Sequence, residues 1–210
     1  MKPGRQSLMM RYKVWVYSKA QELDINDPRT ISLVRDLSVI MEQALRDNGW
    51  GAVSSNNLCW NATEKPVRVV MVPHPENGTN ITLVNPQTPE YGGWEIEMIE
   101  GCGSFPGRLY RVKRKELVRV QAYKLGDNGF TLSDLRYDAR DCNVELDAQQ
   151  SGLEENLSQK RLKNVSHIQH EIYHLDGIVI PNIGRKYQPP FKVTVAEELR
   201  ALDEKHLVWF

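Results

Sequence analysis

Long apolar runs are missing from this sequence. The longest unbroken ones, such as VWVY at Val14 to Tyr17 and VVMV at Val69 to Val72, reach only four residues. A membrane span needs about 20 apolar residues and a signal-peptide core about 7 to 15, so neither is expected and the chain should not be secreted. The opening MKPGRQSLMMRYK is too short to be read as a transit peptide. An excess of one charge is missing too, since Lys+Arg 27 and Asp+Glu 27 cancel. That balance offers no broad field for a nucleic acid substrate or an anionic membrane. Cysteine is scarce: Cys59, Cys102 and Cys142 form no C-x-x-C pair, and three thiols build no even-numbered disulfide framework, which points to a reducing compartment. Cys59 and Cys142 are read as small buried hydrophobes. With no internal repeat, low-complexity tract or linker-like stretch, the 210 residues, 40% hydrophobic and 26% charged, are read as one domain spanning 1–210 with its own core.

Against this plain background one stretch stands out, QHEIYHLDGIVI, Gln169 to Ile180. On a helix, His170 and His174 are one turn apart and project from nearly the same face, so two imidazoles can reach one metal ion. Glu171, beside the first of them, is placed to act on a metal-bound water without being a ligand. Two ligands are too few for a stable site. Metal proteases that extend this pattern carry a third His where this chain has Ile180, which cannot bind a metal, so the third ligand must come from elsewhere in the chain.

The rest of the chain reads as α+β. In DPRTISLVRDLSVIMEQALRDNG, Asp27 can cap a helix, Pro28 suits its first turn and Gly49 follows its end. Val34, Leu37, Met41 and Leu45 recur at helical spacing, so one face should pack on a core. Short strand-like runs follow, at Val67 to Val72, Ile81 to Pro86 and Trp94 to Cys102, separated by Pro, Gly and Asn. GRLYRVKRKELVRVQAYKL alternates apolar and basic residues, as a sheet with one wet face does, and its charge is read as a solvated face. DNGFTLSDLRYDARDCNVELDAQQSG is polar and turn-rich and is read as a loop or small hairpin excursion. Apolar periodicity resumes at Leu157, Leu162, Val165, Ile168, Ile172 and Leu175, which puts the histidines on a largely buried helix ending at Gly177. Thr194 and Glu197 form a capping-box signature for a short C-terminal helix over VAEELRALDEK. The expected fold is therefore mostly antiparallel sheets packed around a central helix carrying H-E-x-x-H, with an N-terminal helix and a short C-terminal helix.

EGCGSFPG, Glu100 to Gly107, ends the strand run with a Cys between two glycines, where backbone can approach a metal or a small ligand closely. Taken with GWGAVSSN at Gly49 to Asn56 and with QHEIYHLDG, it resembles the three-motif signature of peptide deformylases, G-x-G-L-A-A-x-Q, E-G-C-L-S and Q-H-E-x-D-H-L-x-G, in that order. Tyr173 stands where that family usually has Asp, Gly103 where it has Leu, Val53 and Ser54 where Ala-Ala is common, and Asn56 where Gln is expected.

The resemblance implies that Cys102, His170 and His174 hold one divalent metal, Fe(II) natively, with Zn(II), Ni(II) or Co(II) as substitutes. It implies an enzyme that removes the N-formyl group from the formyl-methionine of new polypeptides, with Glu171 moving the proton and with the backbone N–H of Gly103 and the side-chain amide of Asn56 stabilising the oxyanion. Gly49 and Gly51 would let an extended substrate backbone lie close; for Gly49 the end of a helix is an equally good explanation. Glu100 is expected to pair with Arg114 in support of the cysteine turn, with a plain surface ion pair as the alternative. Formylated peptide N-termini are the implied partner, and a bacterial or phage-infected cytoplasm or an organelle the implied setting. The segment 126–163 is read as an insertion, with a rim or a contact to the ribosome as the other possibility. Three rivals stay open: a related metal amidase for another N-formyl or N-acyl compound, an endopeptidase resting on H-E-x-x-H alone, and a protein keeping only a structural metal.

Overall fold

The structure, a computed structural model, describes residues 13–58, 65–140, 157–186 and 207–208. A short turn of helix, α1 (Lys13–Val16), precedes the long helix α2 (Pro28–Asn48). The carboxylate of Asp27 caps α2 by accepting from the Arg29 N–H at 2.9 Å, and Gly49 ends it at φ 66°, a left-handed conformation that suits glycine. Val34, Leu37, Met41 and Leu45 are its buried stripe, as their spacing requires.

Eight strands among the described residues form one continuous sheet: β1 (Val53–Ser54), β2 (Val69–Pro73), β3 (Asn80–Val84), β4 (Glu90–Glu100), β5 (Tyr110–Gly126), β6 (Gly129–Asp138), β7 (Arg185–Lys186) and β8 (Leu207–Val208). Its path runs β1-β2-β3-β5-β4-β8, with β6 and β7 also on β5. All pairings are antiparallel except β4 with β8. Strand β5 is long enough to be shared. β4 and then β3 occupy one edge of it, while β7 and β6 occupy the other, β7 ending at Arg111 and β6 beginning opposite Leu117.

The helix α3 (Leu157–Leu175), followed by the single turn α4 (Ile180–Ile183), lies on one face of the sheet. Val165, Ile168, Ile172 and Leu175 pack there with Val70, Val72, Val118, Val120 and Tyr137. Each such fully buried aliphatic side chain contributes about 1.5–3 kcal/mol. Helix α2 covers the alternate side chains of β2, Val69 and Met71. A strand buried on both faces explains why VVMV is a continuous apolar run rather than an alternating one. No described helix is long and apolar enough to cross a membrane.

Two readings of the sequence need revision. The stretch from Asp127 is no excursion: β5 and β6 form a ten-pair hairpin from Leu117↔Asp138 to Gly126↔Gly129, and Leu135, Tyr137 and Ala139 belong to the core. In its outer half Phe130 is only partly buried, against the α2 cluster, and Leu132 is exposed, so the short alternation there is masked by the polar residues around it. In place of several sheets around a helix there is one branched sheet with α2 and α3 on its opposite faces. The helix expected around Thr194 and Glu197, and residues 141–156, lie outside the described residues.

Candidate metal centre

Strand β4 ends at Glu100, and the tight turn after it, closed by the Phe105 N–H donating to the Cys102 carbonyl at 2.9 Å, turns the Cys102 side chain toward α3. There it meets the two imidazoles. Sγ of Cys102 lies 3.2 Å from Nε2 of His174, which lies 3.0 Å from Nε2 of His170. One potential ligand atom from each of the three falls within 4.8 Å of the others, and all three residues are buried.

Glu100 holds this arrangement from behind. Its carboxylate accepts from Arg114 Nε at 2.7 Å and Nη2 at 2.6 Å, from the Ser166 hydroxyl, and from His170 Nδ1 at 3.1 Å. The side chains of Glu100 and Arg114 are fully buried, so this is no surface ion pair. Burial alone would raise the Glu100 carboxyl, but the Arg114 charge and its two-pronged hydrogen bond overturn that and hold it well below the usual carboxylate range. A carboxylate only accepts, so His170 carries its proton on Nδ1 and turns the lone pair of Nε2 toward His174 and Cys102.

The electrostatics suit a cation. Burial lowers both histidines, His174 well below its ordinary value, so the imidazoles are neutral and able to ligate. Burial likewise pushes the Cys102 thiol up to about 12 and the Glu171 carboxyl up to about 8, the latter against hydrogen bonds from Ser54. The buried atoms Glu171 Oε2 and His174 Nδ1 have no hydrogen-bond partner. With metal–nitrogen bonds of about 2.0–2.1 Å and a metal–sulfur bond of about 2.3 Å, tetrahedral geometry separates two such nitrogens by about 3.3 Å and nitrogen from sulfur by about 3.6 Å. The observed 3.0 and 3.2 Å are within a few tenths of these, so the donor set fits a divalent ion in both chemistry and spacing.

A small pocket opens onto Cys102, His170 and Glu171, walled by Trp50, Ala52, Asn57 and Gly103. The structure therefore brings Cys102, Gly103, His170, Glu171 and His174 together, but not Asn56. Strand β1 runs into a 3₁₀ turn over Ser55–Asn57, which rotates Asn56 away. Its Nδ2 donates to the carbonyls of Ser18 at 2.7 Å and Trp15 at 3.2 Å. The amide facing the pocket belongs to Asn57. Its Oδ1 accepts from the Ser54 N–H at 3.0 Å, which fixes the orientation of the amide, and its Nδ2 donates to the Ser104 hydroxyl at 2.8 Å. The only hint of this in the sequence is the pair of adjacent amides in SSNN. Gly49 is the cap of α2 and a Cβ there would meet nothing, while Gly51 sits between the pocket residues Trp50 and Ala52. Sequence reasoning also missed Trp50.

Comparison with known proteins bears on the whole arrangement. The family model described as Polypeptide deformylase matches residues 12–153, which include Asn57 and Cys102 and stop short of α3. A peptide deformylase of Dictyoglomus turgidum is 30% identical over 77% of this chain and 81% of its own length. Peptide deformylase 1B, chloroplastic/mitochondrial, of Arabidopsis thaliana is 27% identical over 63% of this chain and 38% of its own length. The chain spans about half or less of the length of two of the curated relatives it matches. Among solved structures, a probable peptide deformylase from Synechococcus phage S-SSM7 superimposes with a TM-score of 0.57 at 18% identity, covering 80% of this chain and 92% of that one. The phage structure supports the fold, and the matched two thirds of the sequence carry the kinship: the chain belongs to the polypeptide deformylase family.

Proposed function

We propose that this chain hydrolyses the formamide at the N-terminus of formyl-methionyl peptides, releasing formate, with Cys102, His170 and His174 holding one divalent metal. The observation that carries this reading is a buried thiol and two neutral imidazoles converging beside a buried carboxyl, in a member of this family. A bound ion would lower the pKa of water and polarise the formyl oxygen. Fe(II) is the ion the resemblance favours, and a thiolate with two imidazoles also suits Zn(II), Ni(II) or Co(II).

The protein's own groups do the rest. Glu171, ionised once a cation neighbours it, accepts a proton from the attacking water as the oxygen bonds to the formyl carbon, then delivers it to the nitrogen as the C–N bond breaks. The products are formate and a free amine. Asn57 Nδ2, held in place through Ser54, and the backbone N–H of Gly103 are the donors for the negative charge that develops on oxygen. Glu100 keeps His170 in the tautomer that ligates. The substrate would be a nascent chain, encountered in a bacterial or phage-infected cytoplasm or in an organelle, with the ribosome as the docking point.

Anaerobic purification, metal analysis and a formate-release assay on formyl-Met-Ala-Ser test this. About one metal per chain is expected, with formate release that falls at least about 100-fold in Glu171→Gln. Release of a different acid from an N-acyl panel, without formate, would move the reading to a related amidase.

A further inference from the structure

The pocket in front of Cys102 and Glu171 has one large side chain in its wall, Trp50. A Cβ on Gly103 would stand 2.4 Å from Cζ2 and 2.6 Å from Cε2 of that indole, and the atom it would approach third, Cη2, is at 3.0 Å. The ring therefore lies against the Gly103 backbone, and no side chain can occupy position 103 while Trp50 is in place. Bulk on one wall is matched by its absence on the other, as close packing demands. The solvent-accessible space left is about 10 Å3, room for about one water molecule. A peptide is far larger than this, so its chain must leave the reacting carbon through the pocket mouth. Whatever is attached to the other side of that carbon then faces the wall.

We propose that Trp50 determines which acyl group this site accepts, by closing the space beyond the carbonyl carbon to anything larger than hydrogen. The assignment rests on the reading of Cys102, His170 and His174 as ligands of a metal, and it names the feature that confines the site to formyl compounds. A formyl hydrogen needs no extra room. A methyl group has to displace either the indole or the Gly103 backbone, and both are held: the Trp50 ring by packing against the α2 core, with its backbone anchored by the main-chain N–H donating to the Leu45 carbonyl at 3.2 Å, and Gly103 by the turn that presents Cys102. One extra carbon in a filled pocket is worth roughly 10- to 200-fold in discrimination.

The carboxylic acids that amide hydrolysis would release serve as probes. Protein loaded with Co(II) is titrated with formate, acetate and butyrate, following the visible spectrum and the thiolate-to-cobalt band. Wild type is expected to bind formate at least about tenfold more tightly than butyrate. Trp50→Ala and Trp50→Leu are each expected to abolish most of that preference by tightening butyrate, the leucine variant serving if alanine lets the wall collapse. If the thiolate band is present and the formate-to-butyrate ratio is the same in wild type and both variants, the assignment to Trp50 is overturned and the metal reading stands. Absence of the band from wild type would overturn the metal reading, and the assignment with it.

Discussion

Two adjacent asparagines hold different things. Asn56 fastens the N-terminal segment through the Trp15 and Ser18 carbonyls, whereas Asn57 turns its amide to the pocket. Asn56→Ala leaves those carbonyls without their donor and should cost about 1–3 kcal/mol of stability, with little change in kcat. Asn57→Ala leaves the buried Ser54 N–H without its acceptor and should cost a similar amount of stability, but it should in addition lower kcat on the order of 100-fold. Formate-release kinetics on the two variants, each checked by a thermal melt, separate these, and a loss of kcat in Asn56→Ala alone would return the oxyanion role to Asn56. The motif spacing could not distinguish them, because a single turn of 3₁₀ helix decides which of two neighbouring amides faces inward. Cys102 and the histidine pair were easier to find, since helical spacing fixes His170 relative to His174 and the flanking glycines marked Cys102.

At the level of elements, helices were more legible than the sheet. Asp27, Pro28 and Gly49 bracket α2 as their chemistry predicts, and Gly177 follows α3 at φ 73°. That second glycine also meets its surroundings: a Cβ at 177 would stand 2.7 Å from the Tyr17 carbonyl oxygen. Gly177→Ala should therefore destabilise by more than the roughly 1–2 kcal/mol that the left-handed conformation costs by itself, which urea unfolding will measure. A loss below 1 kcal/mol would mean that the N-terminal segment yields freely. The pairing of β5 was not legible, because a basic strand with one wet face gives no sign that four neighbours share it. Nor was the part of Gln169, whose side chain accepts from the Lys115 N–H at 3.0 Å and donates to its carbonyl at 2.9 Å. It fills the stretch of β5 that lies between the residues paired to β7 and those paired to β6.

On the scale of the whole molecule, loading the centre is coupled to protons. Burial pushes the Cys102 thiol up to about 12 and the Glu171 carboxyl up to about 8, and lowers both imidazoles. A cation binds the thiolate and favours ionised Glu171, so both groups release protons on loading. Affinity should rise with pH, about a hundredfold per unit below pH 8 and about tenfold per unit above it. Zn(II) titrations with competing chelators at several pH values measure this, and a flat profile would mean that the thiol takes no part. The family-model match ends before α3, and the histidines on that helix are joined to the matched region by the folded shape. That shape has a mechanical consequence. Gln169 ties α3 to β5, Arg114 ties β5 to Glu100 at the end of β4, and Glu100 ties back to His170 on α3. The three members brace one another like a triangular truss, in which no corner shifts without stretching two ties. His170 therefore keeps its place and its tautomer even when the wall of Trp50, Ala52 and Asn57, which stands outside the triangle, is altered.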